Sequence, residues 1–293
     1  MEPISISLQD GSVIDATLWE TGQTGQASAV VLLHPATAVV QQFYHPFAAY
    51  LNGRGLHVLT YDYRGTGRSR PDDLRDCTAT MADWMEDDVG AVTDWAASRY
   101  PGLPLLAVGH SVGGHAILLS SATRALTAGV LVAAHAGVTR TVRGTLERLR
   151  VWSVMRLLAP VLCRVVGYMP GQRVGLGEDL PRGVMLQWSR WTTLPHYFYD
   201  DPAMQAAQRV ARVDQPLLVL GFDDDPWANP TAVSLLLAPV VNASIERHNI
   251  APADAGLKAI GHMGFFRKRN GANLWPRVGD WLLAQCAVRE GAQ

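Results

Sequence analysis

The chain has 293 residues, of which 48% are hydrophobic and 17% are charged, and its formal net charge is −1. This composition is typical of a folded globular protein with a large core, and it excludes an intrinsically disordered chain. A charge so close to neutral excludes the strongly basic surface by which proteins bind nucleic acid. The three cysteines, Cys77, Cys163 and Cys286, are far apart in sequence, which indicates neither a disulfide framework nor a metal site.

The N-terminal segment and the most apolar segment bear on the compartment. Residues 1–5 contain no charged region followed by an apolar one, so no signal peptide is predicted and a cytoplasmic protein is expected. The apolar stretch at 151–169 is interrupted by Arg156, Pro160 and Arg164, which argues against a membrane span. No cofactor is expected.

Short apolar runs alternate with helix-like segments along the chain, a rhythm typical of βαβ units. The apolar runs predict strands buried on both faces of a sheet. In chain order the predicted elements are two short strands within 4–20, a loop at 21–28, a strand at 29–33, a helix at 42–52, a strand at 57–61, a helix at 83–100, a strand at 103–108, a helix at 115–122, a strand at 129–134, a strand at 215–221 and a final helix at 274–285.

One predicted strand ends in Gly-His-Ser-Val-Gly, residues 109–113, and a helix follows. A G-x-S-x-G motif between a strand and a helix is a nucleophile elbow, whose sharp turn exposes the serine hydroxyl. A Cβ atom at Gly109 or Gly113 would collide with the closely packed strand and helix. The motif therefore predicts Ser111 as a nucleophile, and it predicts that the Val112 N–H at the helix N-terminus donates to an oxyanion.

The alternation predicts a mostly parallel central sheet with helices on both faces, formed by residues 1–137 and 212–293. Residues 138–211 break the rhythm, because they are helical in pattern and rich in tryptophan, tyrosine, arginine and proline. We interpret this segment as a helical cap inserted over the mouth of the sheet. The alternative is a helical subdomain whose aromatic side chains form its own core.

Two further polar segments follow the predicted cap. A strand ends at Gly221 shortly before three consecutive aspartates, residues 223–225, and His262 precedes the final helix. Because the carboxyl ends of parallel strands share one edge of the sheet, the serine, an aspartate and the histidine can meet there. Asp224 is the preferred acid of such a triad, as the third residue after the strand, and Asp225 is the alternative.

The acid–base properties of these side chains predict their roles. Neutral His262 would take the proton of the Ser111 hydroxyl, which cannot ionise unaided. The carboxylate would fix the imidazole tautomer and stabilise the imidazolium. The Val112 N–H and one N–H from the loop at 34–37 would then bind the oxyanion of the tetrahedral intermediate.

Several motifs carry a family resemblance over nearly the whole chain. They are His34-Pro35 where the family usually has His-Gly, Asp62-x-Arg64-Gly65-x-Gly67-x-Ser69, the elbow, the Gly-x-x-Asp after a late strand, and Gly261-His262. Together they resemble the α/β-hydrolase superfamily. The segments at 34–37, 167–171, 177–181 and 261–266 are more narrowly similar to bacterial capped serine hydrolases of the monoacylglycerol-lipase and serine-aminopeptidase type.

The resemblance implies an α/β-hydrolase fold with an inserted cap and a triad of Ser111, Asp224 and His262. It also implies that Ala36 and Val112 supply the oxyanion N–H groups. Proline in place of glycine at position 35 departs from the family pattern. This departure leaves Thr37 open as the second donor.

The expected function is hydrolysis of a carboxylic ester or thioester through an acyl-serine intermediate. The aromatic residues Trp152, Trp188, Trp191 and Tyr197 of the predicted cap suggest a small-molecule substrate with a hydrophobic acyl or aryl portion. An acyltransferase or an aminopeptidase would use the same triad, and Glu178-Asp179 and Asp200-Asp201 are candidates for gripping the ammonium group of a peptide. A non-catalytic ligand-binding module on the same fold is the alternative from another class. The sequence does not determine the oligomeric state.

Overall fold

The structure is a computed structural model that describes residues 1–21 and 27–290. The predicted loop at 21–28 therefore lies, except for its ends, outside the described residues. Within the described residues the chain forms one eight-stranded sheet. The strands are β1 Glu2–Ser7, β2 Val13–Trp19, β3 Val30–His34, β4 His57–Tyr61, β5 Leu105–His110, β6 Leu126–Val132, β7 Leu217–Phe222 and β8 Ile245–Ile250.

The strand order across the sheet is β1-β2-β4-β3-β5-β6-β7-β8. β1 and β2 form an antiparallel hairpin, and β2 pairs antiparallel with β4. All pairings from β4 to β8 are parallel, as the alternation of strands and helices predicts. β3 and β5, at the centre, are buried along their whole length because apolar residues fill both faces.

Helices cover both faces of the sheet. The α-helices are α1 His45–Asn52, α2 Met81–Asp83, α3 Val89–Arg99, α4 Val112–Leu119, α5 Thr145–Ser153, α6 Ala159–Val165, α7 Gly171–Val174, α8 Arg182–Trp191, α9 Ala206–Val210, α10 Pro230–Leu237 and α11 Gly271–Glu290. Two π-helical turns, Trp84–Asp88 and Val154–Leu158, join α2 to α3 and α5 to α6. α1 packs against α11, whereas α4 packs against the first π turn and α9. The α/β-hydrolase architecture predicted from the sequence is confirmed.

Two elements of the C-terminal part were not predicted from the sequence. β8 has the sequence Ile-Glu-Arg-His-Asn-Ile and is half-buried to exposed, because it is an edge strand of the sheet. Its polar residues hide the strand from a search for apolar runs. α10 begins with a side-chain cap in which Asn229 accepts from the Ala232 N–H.

The chain between β6 and β7 is the longest connection and is built of short helices, from Thr139–Thr141 to α9. Trp191 and Tyr197 are fully buried, and their rings pack against each other with centroids 5.7 Å apart. Both side chains are therefore core residues, and the ring of Tyr197 also packs on the ring of His115 in α4, with centroids 5.5 Å apart. Trp152 is instead exposed. Among the described residues, no helix combines the length and the apolar character needed to cross a bilayer.

Candidate active site

Ser111 lies at the sharp turn between β5 and α4. Its backbone has φ 52° and ψ −110°, a region that residues other than glycine rarely adopt. The Ser111 N–H donates to the Val132 carbonyl of the neighbouring strand at 2.9 Å, and the Ser111 carbonyl accepts from the Gly114 N–H at 2.9 Å. These bonds hold the strained residue at the carboxyl edge of the sheet, and such strain is typical of functional sites.

The glycines of the elbow are required by packing. A Cβ on Gly109 would lie 2.2 Å from the Gly113 carbonyl oxygen, and a Cβ on Gly113 would lie 2.1 Å from the His34 carbonyl oxygen. Backbone atoms cannot move aside as the end of a flexible side chain can. The predicted collision at both glycines is confirmed.

His262 is bonded to Asp225, and the choice of Asp224 from the sequence was wrong on this contact. His262 Nδ1 donates to Asp225 Oδ2 at 2.7 Å, and both side chains are at most 10% exposed. The other oxygen, Asp225 Oδ1, accepts from the Trp227 and Ala228 N–H groups at 2.8 and 3.1 Å. Burial raises the pKa of Asp225, but the bond and charge interaction with His262 outweigh it and bring the pKa to about 2.

Asp224 has a different partner. Its carboxylate oxygens accept from the Ile260 N–H at 2.8 Å and from the Gly261 N–H at 2.9 Å. The residue is exposed, and it ties the β7–α10 loop to the segment just before His262. Asp224 therefore positions the backbone that carries the imidazole, whereas Asp225 contacts the imidazole itself.

His110, which precedes the nucleophile, joins three loops through its ring. Burial lowers the pKa of His110 to about 3, helped by the nearby His262, so the ring is neutral. His110 Nε2 donates to the His262 carbonyl at 2.9 Å, because a carbonyl can only accept. The His110 Nδ1 atom then accepts from the Tyr44 hydroxyl at 2.9 Å, and this hydroxyl accepts from the Ala36 N–H at 2.8 Å.

This relay changes the assignment of the oxyanion loop. Because the Ala36 N–H donates to the buried Tyr44 hydroxyl, it is not available to an oxyanion, which contradicts the prediction for Ala36. In the described part of the chain, the Thr37 N–H and the Val112 N–H have no hydrogen-bond acceptor, and the Thr37 hydroxyl is buried without a partner. Thr37, the alternative left open by the sequence, therefore fits the second donor position.

The surroundings of His262 place it beside the elbow. Its ring lies 5.3 Å from the ring of His110, 5.6 Å from that of His135 and 4.9 Å from that of Trp227, measured between centroids. With Nδ1 donating to Asp225, Nε2 is the ring nitrogen that remains to take up a proton from the serine. No hydrogen bond joins the Ser111 hydroxyl to His262 or to any other residue the structure describes.

Sequence reasoning missed two residues of this site. Tyr44 is the last residue of the 3₁₀ turn Gln41–Tyr44 before α1, and it belongs to no catalytic motif. Trp227 follows the aspartate run, and its N–H caps Asp225 while its ring packs on His262. An aspartate that accepts from the N–H two residues later forms an Asx turn, which Asp225-Pro226-Trp227 could have indicated. Among the described residues no group of three or more histidine, cysteine or acidic side chains could hold a metal ion.

Comparison with known families agrees with this geometry. The profile of the family described as serine aminopeptidase, S33 matches residues 25–210, which is more than half of the chain. The chain belongs to this S33 family. The matched range contains the elbow with Ser111 and ends before Asp225 and His262, so the family match and the contact between those two residues are independent observations. No curated protein matches the chain.

Several solved structures share the fold of this S33 family member over nearly its whole length. A Staphylococcus aureus protein of unknown function is 13% identical, with a TM-score of 0.65 over 98% of this chain and 100% of that one. A soluble variant of Saccharomyces cerevisiae monoglyceride lipase is 15% identical, with a TM-score of 0.64 over 96% of both chains. Est1E from Butyrivibrio proteoclasticus is 15% identical, with a TM-score of 0.61 over 98% of this chain and 100% of that one. At these identities the likeness establishes the α/β-hydrolase fold.

Proposed function

We propose that the chain is a serine esterase that cleaves a carboxylic ester or thioester through an acyl-serine intermediate. The observation that carries the proposal is the bond between His262 Nδ1 and Asp225 Oδ2, with the imidazole held next to a nucleophile elbow. A neutral histidine oriented by a buried carboxylate is the general base that a serine hydroxyl needs.

In the proposed reaction, Ser111 Oγ attacks the carbonyl carbon of the ester while His262 Nε2 takes the hydroxyl proton. The carbonyl π electrons move onto oxygen, and the Val112 and Thr37 N–H groups donate to that oxyanion. Collapse breaks the bond to the leaving alkoxide or thiolate, which takes the proton from His262. Water then attacks the acyl-serine with the same base, which releases the acid and restores Ser111.

The substrate portion next to the reacting carbonyl is proposed to be hydrophobic. Trp227 supports this, because its half-buried ring lies 4.9 Å from the ring of His262. Residues 138–211 are proposed to act as the cap that covers this side of the sheet, with 1–137 and 212–293 as the core. The similarity to a monoglyceride lipase favours an ester over an amide substrate.

The test combines an active-site label with a substrate panel. A fluorophosphonate probe should label the wild-type protein, and digestion should place the label on Ser111. The Ser111→Ala variant should not react, and neither should protein already treated with an unlabelled phosphonate. Turnover of p-nitrophenyl esters of increasing acyl length should follow the labelling. A folded wild-type protein that neither labels nor hydrolyses any ester would refute the proposal in favour of a ligand-binding module.

The family description makes an aminopeptidase the second candidate. Three of the four acids expected to grip a substrate ammonium group are already paired within the chain: Asp179 with Arg70, Asp201 with Trp191, and Asp200 with His196. The fourth, Glu178, accepts from the Gln172 side-chain amide. These contacts favour structural roles for the four acids over binding of an ammonium group. Aminoacyl p-nitroanilides separate the candidates, because an aminopeptidase would cleave them faster than simple esters. Product analysis with added alcohols detects acyl transfer.

A further inference from the structure

We propose that α5, the π turn Val154–Leu158 and α6 form a surface that docks on an anionic lipid layer. These three elements are contiguous and make one helix from Thr145 to Val165. Most of the large apolar side chains that the structure exposes belong to this one helix. We call six of them the apolar stripe: Leu146, Leu149, Trp152, Leu157, Val161 and Val165, which are between 42% and 85% exposed.

The π turn brings the two halves of the apolar stripe into line. Leu146 and Val165 are 19 positions apart, and one π turn takes up about one residue more than an α turn. The remaining 18 positions correspond to about five turns of 3.6 residues, so both ends of the stripe point in the same direction. An unbroken α-helix would rotate the second half by about 100°. The stripe is therefore one continuous face.

The charges on the same helix indicate which kind of surface the stripe meets. The exposed charged residues of the segment are Arg148, Arg150, Arg156 and Arg164. Its one acid, Glu147, is half-buried and pairs with Arg150 at 2.9 Å. The helix therefore carries net positive charge on a chain whose overall charge is −1. An apolar face flanked by arginine is the pattern of a helix that lies in the interface of a membrane containing anionic lipids.

A second copy of the chain fits this face less well. A two-fold contact brings the same patch of both copies together. The arginines of one helix would then be desolvated beside those of the other, and like charges in a partly buried interface repel. A layer of anionic headgroups instead supplies the opposite charge to every arginine.

The helix from Thr145 to Val165 forms a hydrogen bond with Trp227 of the candidate active site. Glu147 Oε1, in the first turn of α5, accepts from Trp227 Nε1 at 2.8 Å. The ring of Trp227 packs on His262, and the backbone N–H of Trp227 donates to Asp225. If the proposed esterase function holds, this position gives the site access to esters dissolved in the lipid layer. The docking itself does not rest on that function.

Vesicle co-sedimentation of the full chain tests the docking. We expect the wild-type protein to sediment with vesicles of phosphatidylcholine and phosphatidylglycerol, and at least tenfold less with phosphatidylcholine alone or in high salt. The triple variant Leu146→Ser, Leu149→Ser and Val165→Ser should lose at least tenfold in partitioning. Val241→Ser is the matched control, because Val241 is 71% exposed and lies outside the helix. It should partition like the wild type.

A charge variant and a size measurement complete the test. Arg156→Gln with Arg164→Gln should remove the preference for anionic vesicles, since neither arginine forms an ion pair that the substitutions would break within the described chain. Equal sedimentation of wild type and triple variant would overturn the proposal. So would a dimer in solution that the triple variant dissociates, together with no vesicle binding. The Ser111→Ala variant should bind vesicles normally, so loss of activity and loss of docking are separate results.

Discussion

The neighbouring carboxylates Asp224 and Asp225 provide a sharp test of the site, because they are adjacent in sequence but only one of them contacts the imidazole of His262. Asp225 bonds the imidazole of His262, and Asp224 bonds the backbone N–H groups of Ile260 and Gly261. The two matched variants Asp225→Asn and Asp224→Asn each remove one charge and keep the side-chain shape. A catalytic role and a positioning role should therefore separate cleanly between them.

Asp225→Asn should abolish most activity and leave the fold intact. An amide cannot compensate the charge of the imidazolium, and it can favour the wrong imidazole tautomer, which in a serine protease lowers kcat by about 10⁴-fold. This loss corresponds to roughly 5.5 kcal/mol in the activation barrier. The asparagine oxygen can still accept from the Trp227 and Ala228 N–H groups. We therefore expect the melting temperature to change by only a few degrees.

Asp224→Asn should show the opposite pattern. The amide keeps one acceptor oxygen, so either the Ile260 or the Gly261 N–H loses its partner. Leaving a buried donor unpaired costs about 1–3 kcal/mol, and the exposure of Asp224 to water reduces the loss to about 1 kcal/mol. We expect kcat to fall less than tenfold. The assay is steady-state hydrolysis of a p-nitrophenyl ester together with thermal unfolding. A variant pair in which Asp224→Asn is inactive and Asp225→Asn is active would refute the assignment.

Three further outcomes follow from the geometry. Tyr44→Phe removes the hydroxyl that links the Ala36 N–H to His110. We expect the free energy of unfolding, measured by denaturant titration, to fall by about 1–3 kcal/mol, and an unchanged value would contradict these two hydrogen bonds. Gly113→Ala should destabilise by at least about 3 kcal/mol or prevent folding, seen as a lower melting temperature or insoluble protein, whereas a wild-type melting curve would disprove the clash. The pKa of Asp225 is about 2 in the folded protein, against an ordinary value of 3.8, so the ionised carboxylate contributes stability above pH 3.8 that is lost as the pH falls through 2. Over that range the free energy of unfolding of the wild type should fall more than that of Asp225→Asn.

The sequence predicts most of the fold because the sheet centre is apolar on both faces. β3, β4, β5 and β7 are nearly continuous apolar runs, and such runs separated by helices leave few alternatives to a parallel sheet. This reasoning does not detect β8, because an edge strand can expose polar residues. The elbow is predicted for a different reason, since Gly109 and Gly113 are the residues that the close approach of backbones requires.

The contacts between distant loops are what the sequence could not provide. Whether the Ala36 N–H is free depends on Tyr44, whose hydroxyl reaches back to it from the turn before α1. The pattern His-Pro-Ala-Thr carries no information about this contact. The identity of the second oxyanion donor therefore depends on packing outside the motif. The contact of Tyr44 with His110 is the observation that favours Thr37 over Ala36.

The choice between the aspartates shows how a small error in a strand boundary becomes an error in a site. From the sequence, β7 ends at Gly221, and the third residue after it is Asp224. In the structure, β7 continues to Phe222, which pairs with Ile250 of β8, and the third residue after the strand is then Asp225. Phe222 belongs to the strand because β8 provides a pairing partner for it, and β8 is the strand that the sequence did not reveal. The missed edge strand and the misassigned carboxylate thus have one physical origin.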